Sequence, residues 1–153
     1  MNEYMYQALE QAKLALKHDE VPVGAVIVHK GKIIAKAYNK REKKQNALYH
    51  AELLAIDKAC KKLKTFRLTE CDLYVTLEPC PMCAGAIINA RLNKVVFGAY
   101  DQKRGCVGSI YNLLTDNRFN HNPQVEGGIL QKECADIMSD FFKTKRHKGD
   151  KNN

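Results

Sequence analysis

Apolar residues fall at helical intervals through the first eighteen positions. Tyr4, Met5, Ala8, Leu9, Ala12 and Leu16 make one stripe, which predicts an amphipathic helix over 3–18. A β-branched run follows, Val21-Pro22-Val23-Gly24-Ala25-Val26-Ile27-Val28. It is broken by His29-Lys30-Gly31-Lys32 and resumes over 33–38, which predicts a hairpin across a glycine-containing turn. From His50 the helical period returns with Ala51, Leu53, Leu54, Ile56 and Ala59. Further on come a strand over 73–77, a buried helix after Pro81, and a strand over 94–98. Gly105, Gly108 and Ser109 mark a loop into a short helix around 110–114, and a polar stretch over 115–124 is a long loop. A short strand near 128–130 and a last helix over about 131–146 complete the pattern. Alternating strands and helices imply a layered α/β domain with parallel neighbours. One domain is expected over 1–148, with 149–153 as a disordered tail.

At 153 residues the chain can bury roughly two-thirds of its unfolded surface in a single core. No apolar run reaches the ~20 residues that cross a membrane, and Met1-Asn2-Glu3-Tyr4 lacks the profile of a signal peptide. A cytoplasmic location is therefore expected. In that setting most of the six cysteines should be thiols or metal ligands, with Cys60, Cys71, Cys106 and Cys134 as small apolar side chains. The formal charge of +8 suits a polyanionic partner. Positive residues cluster at Lys40, Arg41, Lys43 and Lys44, at Lys58–Arg67, and at Lys143, Lys145, Arg146, His147, Lys148 and Lys151. The middle cluster reads as a solvated helix face, whereas the last is a candidate nucleic-acid contact.

The sharpest chemical signal is His50-Ala51-Glu52 combined with Pro79-Cys80-Pro81-Met82-Cys83. Cys80 and Cys83 are spaced so that both sulfurs can grip one ion at roughly 2.3 Å. Pro81 suits the first position of a helix, so both sulfurs would sit at its N-terminus, where the dipole favours thiolate. His50 would be the third donor. A structural zinc site fills four protein positions, while a catalytic one leaves a place for water. Glu52 would stand beside that place as proton acceptor, and zinc lowers the pKa of a bound water to about 7. The blander alternatives are a redox Cys-x-x-Cys pair and a closed structural zinc site, with Cys71 as the nearest fourth ligand in sequence. The first leaves His50-Ala51-Glu52 unexplained, and the second would need a ligand from the far end of a strand. The order H-x-E…P-C-x-x-C is the known signature of zinc-dependent nucleobase deaminases, so that assignment is a motif match standing beside the spacing argument.

Much of the chain, from about Tyr4 to Phe142, resembles the cytidine deaminase superfamily and, within it, the bacterial tRNA-specific adenosine deaminases. The likeness rests on Glu20-Val21-Pro22-Val23-Gly24-Ala25, Asn39, Thr76-Leu77-Glu78-Pro79-Cys80-Pro81-Met82-Cys83-Ala84-Gly85 and Phe97-Gly98-Ala99. It continues through Asp101, Lys103, Gly105, Gly108-Ser109, Asn120-His121, Glu133-Cys134 and Phe141-Phe142. The resemblance implies a three-layer α/β/α fold with a mixed five-stranded sheet and helices on both faces. It implies one zinc ion per subunit on His50, Cys80 and Cys83, with Glu52 as catalytic proton shuttle. Substrate contacts are implied for Asn39, Val23, Ala51, Asp101 and Phe142, and Glu78 and Pro79 would shape the turn presenting Cys80. The implied reaction is hydrolytic deamination of adenosine to inosine at the wobble position of a tRNA anticodon. The implied partners are the tRNA anticodon loop and a second subunit in a homodimer, with no membrane and no DNA.

Simpler roles compete at several positions. Asn39 could close a turn after its strand, Asp101 could cap the loop before Gly105, and His121 could be structural. Adjacent helix residues point apart, so Phe141 and Phe142 should divide between core and surface. Leu48 and Tyr49 precede His50 where small or hydroxyl residues are usual in the family, and Asn122 stands where a basic residue is frequent. A free guanine or cytosine deaminase using the same zinc site, and a non-enzymatic RNA-binding zinc module, are the competing functions.

Overall fold

The structure, a computed structural model, describes residues 2–151 and the side chains as far as residue 146. The opening helix α1 spans Asn2–Lys17, and strands β1 (Gly24–His29) and β2 (Lys32–Tyr38) form the expected hairpin. Next come α2 (Arg41–Lys44), α3 (Ala51–Leu63), β3 (Cys71–Leu77), α4 (Pro81–Ala90) and β4 (Lys94–Ala99). After a long excursion, β5 (Gln124–Gly127) and α5 (Gln131–Lys151) finish the described chain. The sheet order is β2-β1-β3-β4-β5. β1 is antiparallel to both β2 and β3, while β3, β4 and β5 run parallel, so the sheet is mixed.

Alternating side chains send each central strand into two cores. Ala25 and Ile27 of β1, Leu73 and Val75 of β3, and Val95 and Phe97 of β4 face one way, onto Ala51, Ala55 and Ala59 of α3 and Ala84 and Ile87 of α4. Val26, Val28, Tyr74 and Val96 face the other way, onto Met5, Ala8 and Leu9 of α1 and Cys134 of α5. With helices on both faces, β1 is buried along nearly its whole length, which is why its sequence is a continuous apolar run with no alternation. Among the described residues, no helix is long and apolar enough to cross a membrane.

Two local expectations are corrected. The edge strand lies at Gln124–Gly127, not 128–130, because Gly128 and Leu130 adopt left-handed backbone at φ 85° and 54° and turn the chain into α5. Ile129 and Leu130 pack against the α1/α5 core instead. The short helix expected at 110–114 is a 3-10 turn at Leu113–Thr115, preceded by a bridge between Val107 and Asn112. Ile110 and Tyr111 consequently face solvent. The four charged residues of α2 carry no apolar period, so periodicity alone gives no sign of that helix. The tail expected at 149–153 coincides with the end of α5, and Asn152 and Asn153 lie outside the described residues.

Close approach of α1 to the sheet depends on Gly24, where a Cβ would run into the backbone of Ala8 and Ala12. Gly24→Ala is therefore expected to lower the unfolding free energy by about 2 kcal/mol. That corresponds to a Tm lower by about 4–8 °C for a chain of this size, as measured by thermal denaturation with zinc in excess.

Candidate active site

His50 and Cys80 occupy equivalent places. Each is the N-cap residue of a helix, α3 or α4, with extended backbone at φ −76°, ψ 150° and φ −77°, ψ 176° respectively. Neither side chain caps its own helix, which leaves both free to point across the gap between the two helix ends. Pro81 opens α4 as expected, and Cys83 sits in its first turn. The imidazole Nδ1 of His50 lies 3.7 Å from Cys80 Sγ and 3.5 Å from Cys83 Sγ. All three donor atoms fall within 4.8 Å of one another.

This donor set fits zinc. One imidazole and two thiolates suit its borderline softness, and the separations match the edges of a tetrahedron, about 3.5–3.8 Å for bonds of this kind. Among the described residues the group contains three donors, one short of a closed structural site. Cys71 starts β3, at the far end of that strand from Cys80, and is buried in the core. Cys106 turns its thiol to the carbonyl of Arg104.

The electrostatics follow from burial and sharing. A hydrogen bond from the Cys83 thiol pulls Cys80 down to about 3, and His50 helps. The same contact with Cys80, followed by burial, pushes Cys83 up. Glu52 is in the first turn of α3 and buried, and desolvation raises its carboxyl above the usual range, opposed by its backbone hydrogen bond and His50. Burial likewise raises Cys71 to about 11 and Cys134 to about 12, the inert thiols of the two cores.

Above the donors opens a cavity of about 980 Å³. His50, Glu52 and Cys80 line it, while Cys83 lies buried behind them. Every residue expected to contact substrate lies in its wall: Val23, Asn39, Ala51, Asp101, and Phe142 from α5. Phe141 is buried and Phe142 is 45% exposed, the division that their adjacency requires.

Two of these residues also perform their simpler roles. The Asn39 side-chain oxygen accepts from Arg41 N–H at 3.2 Å, closing the turn after β2. Asp101 Oδ1 accepts from Lys103 and Arg104 N–H at 3.1 Å each, capping its loop. His121 is held to the Leu92 carbonyl at 2.7 Å, and Asn122 donates to the carbonyls of Leu114 and Asp116. Leu48 is exposed and Tyr49 half-buried on the segment leading to His50.

Sequence reasoning gave no individual role to Arg41, Arg104, Ala135, Met138 or Ser139, all of which line the cavity. The α5 members were discoverable: positions 135, 138, 139, 142, 145 and 146 make a helical stripe beside that of Cys134, Ile137 and Phe141, with Met138 also touching the core. The hydrogen bonds of buried Glu78 were not discoverable. Its carboxylate accepts from the backbone N–H groups of Asp101, Val107 and Ser109 at 2.9–3.0 Å and from the Ser109 hydroxyl. Gly105 has to be glycine because a Cβ there would enter the same carboxylate.

A model of the MafB19-like deaminases matches residues 1–146, and the chain belongs to that family. At finer grain it is 54% identical over 145 residues to a tRNA-specific adenosine deaminase of Bacillus subtilis (strain 168), covering 95% of this chain and 90% of that protein. A solved structure from a study of A-to-I editing by tRNA:A34 deaminases at the transfer RNA wobble position superimposes with a TM-score of 0.86 at 41% identity, over 90% of this chain and 99% of that one. The guanine deaminase of Nitrosomonas europaea shares the fold, with a TM-score of 0.81 at 23% identity over 92% and 83% of the two chains.

Replacing Glu78 by Gln removes the charge and makes an amide face N–H donors that need acceptors. Urea denaturation of the zinc-saturated Glu78→Gln variant should show a loss of about 1.5–3 kcal/mol, the usual worth of hydrogen bonds to a charged group.

Proposed function

We propose that this chain converts adenosine to inosine at the wobble position of a tRNA anticodon, by adding one water and releasing one ammonia. The observation that carries the proposal is a buried carboxylate, Glu52, beside a His/Cys/Cys donor group at the floor of a cavity. The substrate class rests on the names of the relatives, one of them 54% identical along nearly the whole chain.

His50, Cys80 and Cys83 would hold zinc. Zinc, when bound, supplies the Lewis acidity that makes water a nucleophile near pH 7. Glu52 does the proton work: one carboxylate oxygen takes a proton from the attacking water, delivers it to N1 of the purine, and later carries another to the departing amino group. Its burial raises its affinity for a proton and excludes competing solvent, which suits a carrier that must both accept and release. Asn39, with its amide fixed by Arg41 N–H and by a 3.4 Å bond to the Val21 carbonyl, presents a polar edge to the base. Val23 would line the base pocket, and the backbone around Ala51 would help fix the base. The exposed Phe142 ring offers a stacking face for a neighbouring base, and Asp101 would meet a flanking nucleotide.

Lys103, Arg104 and Arg146 at the cavity wall would contact the phosphates. An anticodon loop already presents unpaired bases, so moving one into the cavity costs less than extraction from a duplex. Assembly as a homodimer with one zinc per subunit, in the cytoplasm, belongs to the same reading.

Purified zinc-loaded protein incubated with a tRNA carrying a wobble adenosine is expected to yield inosine. Glu52→Ala should slow this by about 10²–10⁴-fold with zinc content unchanged, and His50→Ala should lose the metal. Failure of the loaded wild type to make inosine, or turnover of free guanine or cytosine in its place, would sink the reading. Phosphate contact has a separate signature: Arg146→Ala should reduce the slope of log K for the anticodon stem-loop against log salt by roughly 0.7–0.9.

A further inference from the structure

Glu20 is fully buried, and the catalytic proposal does not use it. Its backbone is fixed by the end of α1, where its N–H donates to the Ala15 carbonyl at 3.0 Å. Its side chain reaches across to α2, Oε1 accepting Glu42 N–H at 3.0 Å and Oε2 accepting Lys43 N–H at 2.6 Å. The preceding amide, Arg41 N–H, goes to Asn39 at 3.2 Å. Three successive amides of the segment are thus held by two side chains, and Asn39 and Arg41 both line the cavity.

The segment has little else to order it. α2 is four charged residues with no buried side chain, so apolar burial contributes nothing to holding it in place. A helix that short is not stable by itself. Backbone contacts tie its flanks to the rest of the fold, Asn39 N–H to the Val23 carbonyl at 3.1 Å and Lys40 N–H to the Tyr49 carbonyl at 3.0 Å, whereas the carbonyls of Arg41 and Glu42 are met only locally, by Asn46 N–H at 3.1 Å and Gln45 N–H at 3.3 Å. A carboxylate on the free amides of a first turn is a strong, charge-assisted anchor, and burial keeps water from replacing it.

We infer that Glu20 is a positioning residue for substrate binding: by holding the Glu42 and Lys43 amides it sets segment 39–44, and through it Asn39 and Arg41, at the cavity wall. The inference rests on the RNA deaminase reading for what those two residues meet. It predicts a defect in binding, not in metal retention or in the chemical step.

The test compares wild type with Glu20→Gln and Glu20→Asp. The Gln side chain has one oxygen for two N–H groups and turns an NH₂ toward the other. With zinc content equal to wild type, Glu20→Gln should raise KM for an anticodon stem-loop about tenfold, leave kcat within about twofold, and speed tryptic cleavage after Arg41, Lys43 or Lys44 about tenfold. Glu20→Asp, which keeps both oxygens, should recover part of each loss. Lys43→Pro deletes one of the two amides without touching the core, and should reproduce the KM defect relative to Lys43→Ala should Glu20→Gln fail to fold. Unchanged protection of segment 39–44 with wild-type KM would overturn the inference, as would a lower kcat at unchanged KM. Proteolysis needs no substrate, so a wild type that makes no inosine would strike the catalytic reading while the ordering role is still decided by cleavage rates.

Discussion

Two helix N-termini have to meet end to end before this chain has a three-donor site. α3 follows β2 and α4 follows β3, and both strands run antiparallel to β1 between them, so the chain entering each helix leaves the same edge of the sheet. Their N-cap residues are His50 and Cys80, neither of which caps, where Ser, Thr, Asp or Asn would normally satisfy the first amides. Local helix stability is given up so that both side chains can face across the junction. The free amides and the dipoles of two helices then favour negative charge at the sulfurs, which is what a cation there needs. The apolar rows of Ala51, Ala55, Ala59, Ala84 and Ile87 keep the helices close enough for 3.5 Å contacts.

The cavity walls have a different source of order. Segment 39–44 is polar, and α2 has no buried side chain at all, while segment 101–109 places only Cys106 and Val107 in the core. Each is instead gathered by a buried carboxylate, Glu20 on one side and Glu78 on the other, taking backbone amides as ligands. These bonds fix main-chain atoms and leave the side chains of Arg41, Lys103 and Arg104 outside the anchoring. Loops of this kind can carry specificity while the scaffold beneath them carries stability.

How far the amino-acid sequence reveals this depends on whether a feature has a local signal. His50, Glu52, Cys80 and Cys83 are legible because metal chemistry restricts residue type and spacing. α1 and α3 are legible because one-sided burial imposes a period, and β1 and β3 because burial on both faces makes a short continuous apolar run. β5 was misplaced because Ile129 and Leu130 look like strand residues, whereas the edge strand contributes only Val125 to the core and is defined by its pairing with β4. α2 and the grip of Glu20 on it leave no trace, since the carboxylate's partners are main-chain amides more than twenty positions away and every residue has a backbone. Asn39 and Asp101 show that the competing readings were not exclusive: each closes a turn and lines the cavity, the turn being what fixes the side chain in the wall.

Charge distribution ties these parts to an anionic partner. Of the carboxylates near the cavity, Glu20 and Glu78 point inward and are satisfied by amides, and Glu52 is buried beside the donors. Asp101 has one oxygen committed to its own loop, and Asp19 pairs with Lys145 at 2.8 Å. Among the described residues, the guanidinium and ammonium groups of Arg41, Lys103, Arg104 and Arg146 remain in the lining of the cavity. Had the two buried glutamates been paired with two of these four cations, half of that positive charge would be cancelled. Main-chain amides satisfy the buried acids instead, so these basic side chains at the cavity are not drawn into pairing with them.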